Sequence, residues 1–94
     1  MFDSMEAQIL AIEIQQLYHE LDYTVQTSFV NYLEDEISVQ DDEVGPIVDG
    51  IIFSLRNHHN LETTIDRLCA KSSTRYVVMV LQATYEYLKD IYYD

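Results

Sequence analysis

The chain has 94 residues, 48% of them hydrophobic, with two glycines, one proline, one cysteine and a formal charge of −12. One domain of this size hides about 60–65% of its unfolded surface, and its apolar content is too high for a disordered chain. Scarce Gly and Pro argue against an all-β fold, which needs turn residues every 8–12 positions or so, and the charge argues against direct binding to nucleic acid or to an anionic membrane.

The first helix is expected to open at Asp3 or Ser4, where Asp3 and Glu6 have capping-box spacing. Leu10, Ile14, Leu17, Leu21 and Val25 recur every three or four residues and predict its buried stripe. Gln8, Gln15, Gln16 and His19 then lie mostly opposite. Ile12 falls among them and is either a second packing contact or part of an interface. A second helical stretch runs from about Tyr23 to Ile37, carrying Val25, Phe29, Tyr32, Leu33 and Ile37. Asp22 or Thr24 would cap it, unless residues 5–38 form one long bent helix. Glu34 to Glu43 holds six acids in ten residues and reads as a frayed helix end plus an exposed connection.

Pro46 suits the first turn of the next helix, which buries Ile47, Ile51, Ile52 and Leu55 and ends near His58-His59-Asn60. Asn60 caps a short helix from Leu61 to about Ala70, with Ile65 and Leu68 inward. Lys71 to Thr74 reads as a turn and cap. Val77, Val80, Leu81, Leu88 and Ile91 space as a last helix to the C-terminus. The expected fold class is all-α, a small bundle of four or five helices forming a single domain over 1–94.

Catalytic patterns are missing: there is no Gly-rich phosphate loop, no nucleophile elbow and no HExxH. On a helix, His58 and His59 would diverge by about 100° and could not face one ion. Adding Cys69 gives no usual zinc-finger spacing, and the acidic run lacks the alternating ligands and central Gly of an EF-hand. The expectation is a non-enzyme with no cofactor and no dedicated metal site. No signal-peptide pattern is visible, and the longest apolar run, Tyr76 to Leu81, is too short to span a bilayer. The lone Cys69 fits a reducing compartment, such as a bacterial cytosol.

Charge is distributed one-sidedly. Residues 1–55 hold twelve carboxylates and no Lys or Arg, whereas residues 56–94 hold five acids and five bases. The acidic region therefore carries the entire −12. A solvated helix flank is the ordinary reading of such charges, but an ordinary flank intersperses Lys and Arg because like charges repel. A function that needs the field is the economical explanation. Candidate partner-binding residues are Glu13, Glu20, Asp22, Glu34, Asp35, Glu36, Asp41, Asp42, Glu43 and Asp49. Glu6, Glu13 and Glu20 follow at seven-residue intervals, about 10.5 Å apart along one helix flank. The implied partner is a basic protein surface built for phosphates. Twelve carboxylates match the charge on roughly 20 Å of B-DNA, and a symmetric dimer would match about 40 Å. Eight tyrosines offer one route to a homodimer. In the last helix Leu81, Tyr85, Leu88 and Tyr92 share a stripe, while Tyr87 and Tyr93 point elsewhere and are left for an interface.

Val44-Gly45-Pro46, Ile52-Phe53-Ser54-Leu55, Val77 to Ala83 and Tyr85-Glu86-Tyr87-Leu88 give the C-terminal half a family resemblance. It resembles the Ocr-type DNA-mimic antirestriction proteins of T7-like phages. The resemblance implies a small, acidic, helical, dimeric protein that occupies the DNA groove of a restriction enzyme. It does not extend to the acids of residues 1–43, so no mimic residue is carried over. Charge and resemblance together lead to an anti-defence inhibitor, of antirestriction or anti-CRISPR type, that blocks a host nuclease. The alternatives are an immunity protein or antitoxin that neutralises a basic toxin nuclease, and a small helical adaptor whose acids serve solubility.

Overall fold

The computed structural model describes residues 4–93, with side chains for 5–92. The cap expected at Asp3 and the side chain of Tyr93 lie outside the described residues. Among the described residues five α-helices follow one another: α1 (Ser4–Glu20), α2 (Tyr23–Tyr32), α3 (Val44–Arg56), α4 (Leu61–Lys71) and α5 (Thr74–Tyr93). A π-helical turn, Leu33–Ile37, continues α2. No strand occurs among the described residues. The architecture is thus the small all-α bundle, 32 × 24 × 24 Å.

α5 is the longest helix, and α1 lies along it and along α4. α3 packs on α4, on α5 and on the π-helical turn. The core holds Ile14, Phe29, Leu33, Ile47, Ile51, Leu55, Leu61, Ile65, Leu81 and Leu88, each fully or almost fully buried. α3 and α4 approach closely at Gly50, where a Cβ would sit 3.3 Å from Leu68.

α1 and α2 are separate helices. α1 stops at Glu20, and Asp22 caps α2 by accepting the Val25 amide at 3.0 Å. The buried face of α1 differs from the expected stripe. Ala7, Ala11, Ile14 and Tyr18 are inward, whereas Leu10, Leu17 and Leu21 are half-buried beside them. The two alanines let neighbouring helices approach, and the leucines fill the flanking grooves. Gln8 and Gln15 are not on a solvent face. Gln8 donates to Asp66 of α4 at 2.6 Å, and Gln15 accepts the Leu61 amide at 2.7 Å. The second bond satisfies one of the orphan amides that begin α4, while Asn60 takes the Thr63 amide at 3.2 Å.

α3 ends two residues before His58, earlier than expected. Asn57 closes it, and His58 adopts a left-handed φ of 57°, which turns the chain toward α4. Ser54 secures this connection from inside. Its buried hydroxyl donates to the His59 carbonyl at 3.2 Å and accepts from Thr64 at 3.1 Å.

Tyr87 is not left over for an interface. Its ring stacks on Tyr32 at 3.9 Å with 4° between planes, and lies 6.1 Å from Phe29. Tyr92, placed in the inward stripe by periodicity, is 43% exposed. Burial along α5 falls off there, from fully buried Leu88 to half-buried Ile91 and exposed Tyr92.

Candidate partner-binding surface

The acids between α2 and α3 do not belong to a frayed end. In the π-helical turn, Ser38 donates its amide to Leu33 at 2.9 Å, five residues back. Leu33 and Ile37 are both buried, so the wide turn is pinned from beneath. Glu34, Asp35 and Glu36 are thereby held on the outside, all exposed. The connection that follows is folded on itself. Gln40 donates to the Ile37 carbonyl at 3.2 Å, and Val44 donates to the Asp41 carbonyl at 3.0 Å. The Asp41 carboxylate accepts the Glu43 amide at 2.9 Å, the local turn that Asp favours. Buried Ile37 and Val44 anchor its two ends.

Asp41, Asp42 and Glu43 are exposed on this turn, and Asp49 is exposed on α3. Pro46, Asp49, Phe53 and Arg56 share the outward stripe of α3, three or four residues apart. Seven of the ten candidate carboxylates thus lie in one continuous stretch of chain, 34–49, packed as the π-helical turn against α3. Two apolar side chains stand exposed among them: Val39 at 72% and Phe53 at 59%. Phe53 leans against His59, with ring centroids 5.4 Å apart.

The other three candidates, Glu13, Glu20 and Asp22, are also exposed but belong to α1 and the α1–α2 junction. α1 packs on α4 and α5, so contact between elements does not join its acids to the 34–49 group. Asp22 and Asp41 each have a local structural task, as a cap and as a turn former. Among the described residues, no ion pair joins any of the ten to Arg or Lys. Lys89 instead lies 5.3 Å from the ring of Tyr85 on its own helix.

A cleft of about 320 Å³ is lined by Tyr18, His19, Tyr23, Gln26, Thr27, Val30, Leu55, Arg56 and His58. The rings of His19 and His58 stack there, 5.6 Å apart and 15° from parallel. Reading His58 and His59 as neighbours on one helix missed this pairing. His58 leaves the helix, and its partner is 39 positions earlier in the chain, a distance that no local pattern signals. Among the described residues, no group of three or more His, Cys, Asp or Glu side chains is placed to hold a metal ion. No described helix is long and apolar enough to cross a membrane.

The Tyr18 phenol and the Cys69 thiol are perturbed. Burial pushes the Tyr18 phenol above its ordinary 10.0, Arg56 opposes this, and Tyr23 adds to it. Burial likewise raises the half-buried Cys69 thiol above 9.0, with a Thr74 hydrogen bond opposing and Asp66 adding. Both groups hold their protons more tightly folded than unfolded. They contribute stability below about pH 9, and it is lost as pH rises through the raised folded values. Urea midpoints are therefore expected to fall above pH 9 or so. Cys69 should alkylate more slowly than a free thiol at the same pH, which iodoacetamide kinetics would measure.

Comparison with protein-family models, with curated proteins and with solved structures finds no match for this chain.

Proposed function

We propose that this protein is a non-enzymatic anti-defence inhibitor that occupies the nucleic-acid groove of a host nuclease of restriction or CRISPR type. The observation that carries the reading is the state of the seven carboxylates of the 34–49 stretch: all are exposed, and none is in an ion pair with a described Arg or Lys. Uncompensated charge of this density destabilises a small domain and creates a strong negative field at its surface. Such a field attracts a groove lined by Lys and Arg, and raises the rate of encounter with it. Val39 and Phe53, exposed beside the acids, supply apolar contacts that lengthen residence once the surfaces meet. The C-terminal resemblance to DNA-mimic antirestriction proteins points to the same class of target.

The test is capture from a bacterial lysate on immobilised protein at low salt, followed by identification of what is held. Nucleic-acid-binding nucleases should dominate, leave in about 0.5 M NaCl, and be displaced by added duplex. Retention of the same proteins by a variant with the seven carboxylates of 34–49 amidated would rule the charge mechanism out. A captured toxin encoded beside this gene would identify an immunity protein instead.

A further inference from the structure

Met5, Ile9 and Ile12 are exposed at 67%, 55% and 44%, and their spacing of four and three residues puts them on one stripe of α1. Gln16 and His19 extend the same spacing, both exposed. This ridge faces away from the core, since Ala7, Ala11, Ile14 and Tyr18 occupy the opposite side of the helix. Ile12 is therefore outside the buried core. The alternation of four and three residues is that of a coiled-coil seam, with Ile9 and Gln16 at one seam position and Met5, Ile12 and His19 at the other. In that register Glu6, Glu13 and Glu20 fall at one repeated flanking position. Glu6 is held by Gln82 of α5 at 3.1 Å, while Glu13 and Glu20 are exposed. On the α4 side the ridge is bordered by Asp66, bonded to Gln8. Glutamates thus run along one side of an apolar ridge, and one aspartate borders the other.

We infer that the outward ridge of α1 is a docking surface for a basic amphipathic helix of a partner protein. Its apolar stripe would cover Met5, Ile9 and Ile12, and Lys or Arg at its flanks would meet Glu13, Glu20 and Asp66. Charge decides the occupant. A second copy of α1 laid antiparallel sets glutamate flank against glutamate flank. Laid parallel, each glutamate flank meets Gln8 and Gln15, which are already bonded to α4. Neither arrangement supplies a positive charge. A cationic helix turns the same flank from repulsive to attractive. The surface is separate from the 34–49 group and stands whether or not that group meets a nuclease.

The probe is a synthetic three-heptad helix with Leu at the seam and Lys and Arg at the flanks. Its control is a peptide of identical composition, scrambled so that no apolar face forms. Calorimetric titration of the full chain should show the amphipathic peptide binding at least about tenfold more tightly than the control. Ile9→Asn with Ile12→Asn should lower that affinity by about tenfold or more, while melting stays cooperative because neither side chain belongs to the buried core. Glu13→Gln with Glu20→Gln should weaken binding and flatten its salt dependence. No binding, equal binding of the scrambled peptide, or indifference to the double Asn variant would overturn the proposal. A dimer in sedimentation that the double Asn variant dissociates would also overturn it, by making a second copy the occupant. Amidating residues 34–49 should leave the preference for the amphipathic over the scrambled peptide intact, which separates this surface from the nuclease reading.

Discussion

Amidating Glu34, Asp35, Glu36, Asp41, Asp42 and Glu43 together is expected to slow association with the captured partner by about 10–1,000-fold, the range that electrostatic steering supplies. The same change is expected to raise the melting temperature. The six groups are exposed and crowded on a π-helical turn and the connection after it, with no described Arg or Lys paired to them. Relieving several like-charge contacts of about 0.2–0.5 kcal/mol each gives on the order of 1 kcal/mol. For a chain of this size that is a rise of about 4–8 °C. Amides keep shape and hydrogen bonding: Asn at 41 still accepts the Glu43 amide through its side-chain oxygen. Opposite signs for stability and binding distinguish a field kept for a partner from one kept for solubility. Stopped-flow association together with thermal denaturation measures both. Unchanged association would leave the acids with no role beyond hydration.

Phe29→Ala is expected to destabilise the fold by about 3–5 kcal/mol, the usual range for a buried aromatic truncated to Ala. A domain of this length has on the order of 5–15 kcal/mol in total, so the variant would be partly unfolded near physiological temperature. Phe29 is fully buried, and its ring lies 5.8 Å from Tyr18 and 6.1 Å from Tyr87. α2 has few other anchors: Val30 is buried, Tyr32 stacks on Tyr87, and Gln26 donates to the Tyr18 carbonyl at 2.9 Å. Removing Phe29 therefore loosens α2 and, through it, the π-helical turn that presents Glu34 to Glu36. Urea denaturation of the variant measures the loss. A midpoint close to that of the parent chain would show that α2 is held by other contacts.

Helices α3, α4 and α5 were legible because their apolar residues are large and follow the helical period, and because Pro46 and Asn60 mark starts by their own chemistry. The face of α1 was not. Periodicity weights Leu above Ala, yet Ala7 and Ala11 are the residues that meet the neighbouring helices. Gln8 and Gln15 look like surface residues until α4 arrives with Asp66 and the Leu61 amide. The π-helical turn adds one residue to a helical repeat without changing residue type, so no local signal announces it. Of the candidate site, the exposure of each carboxylate was legible. Its division between the 34–49 stretch and α1 depends on which helices pack together, and that is decided by contacts distant in sequence.

The near-parallel Tyr32 and Tyr87 rings give the molecule a built-in optical reporter. The chain contains no tryptophan, so its near-ultraviolet dichroism comes chiefly from tyrosine, and rings 3.9 Å apart couple their transitions strongly. Detachment of α2 from α5 would erase that coupled band while the far-ultraviolet helix signal persists, so a partner that remodels this corner could be followed without a label.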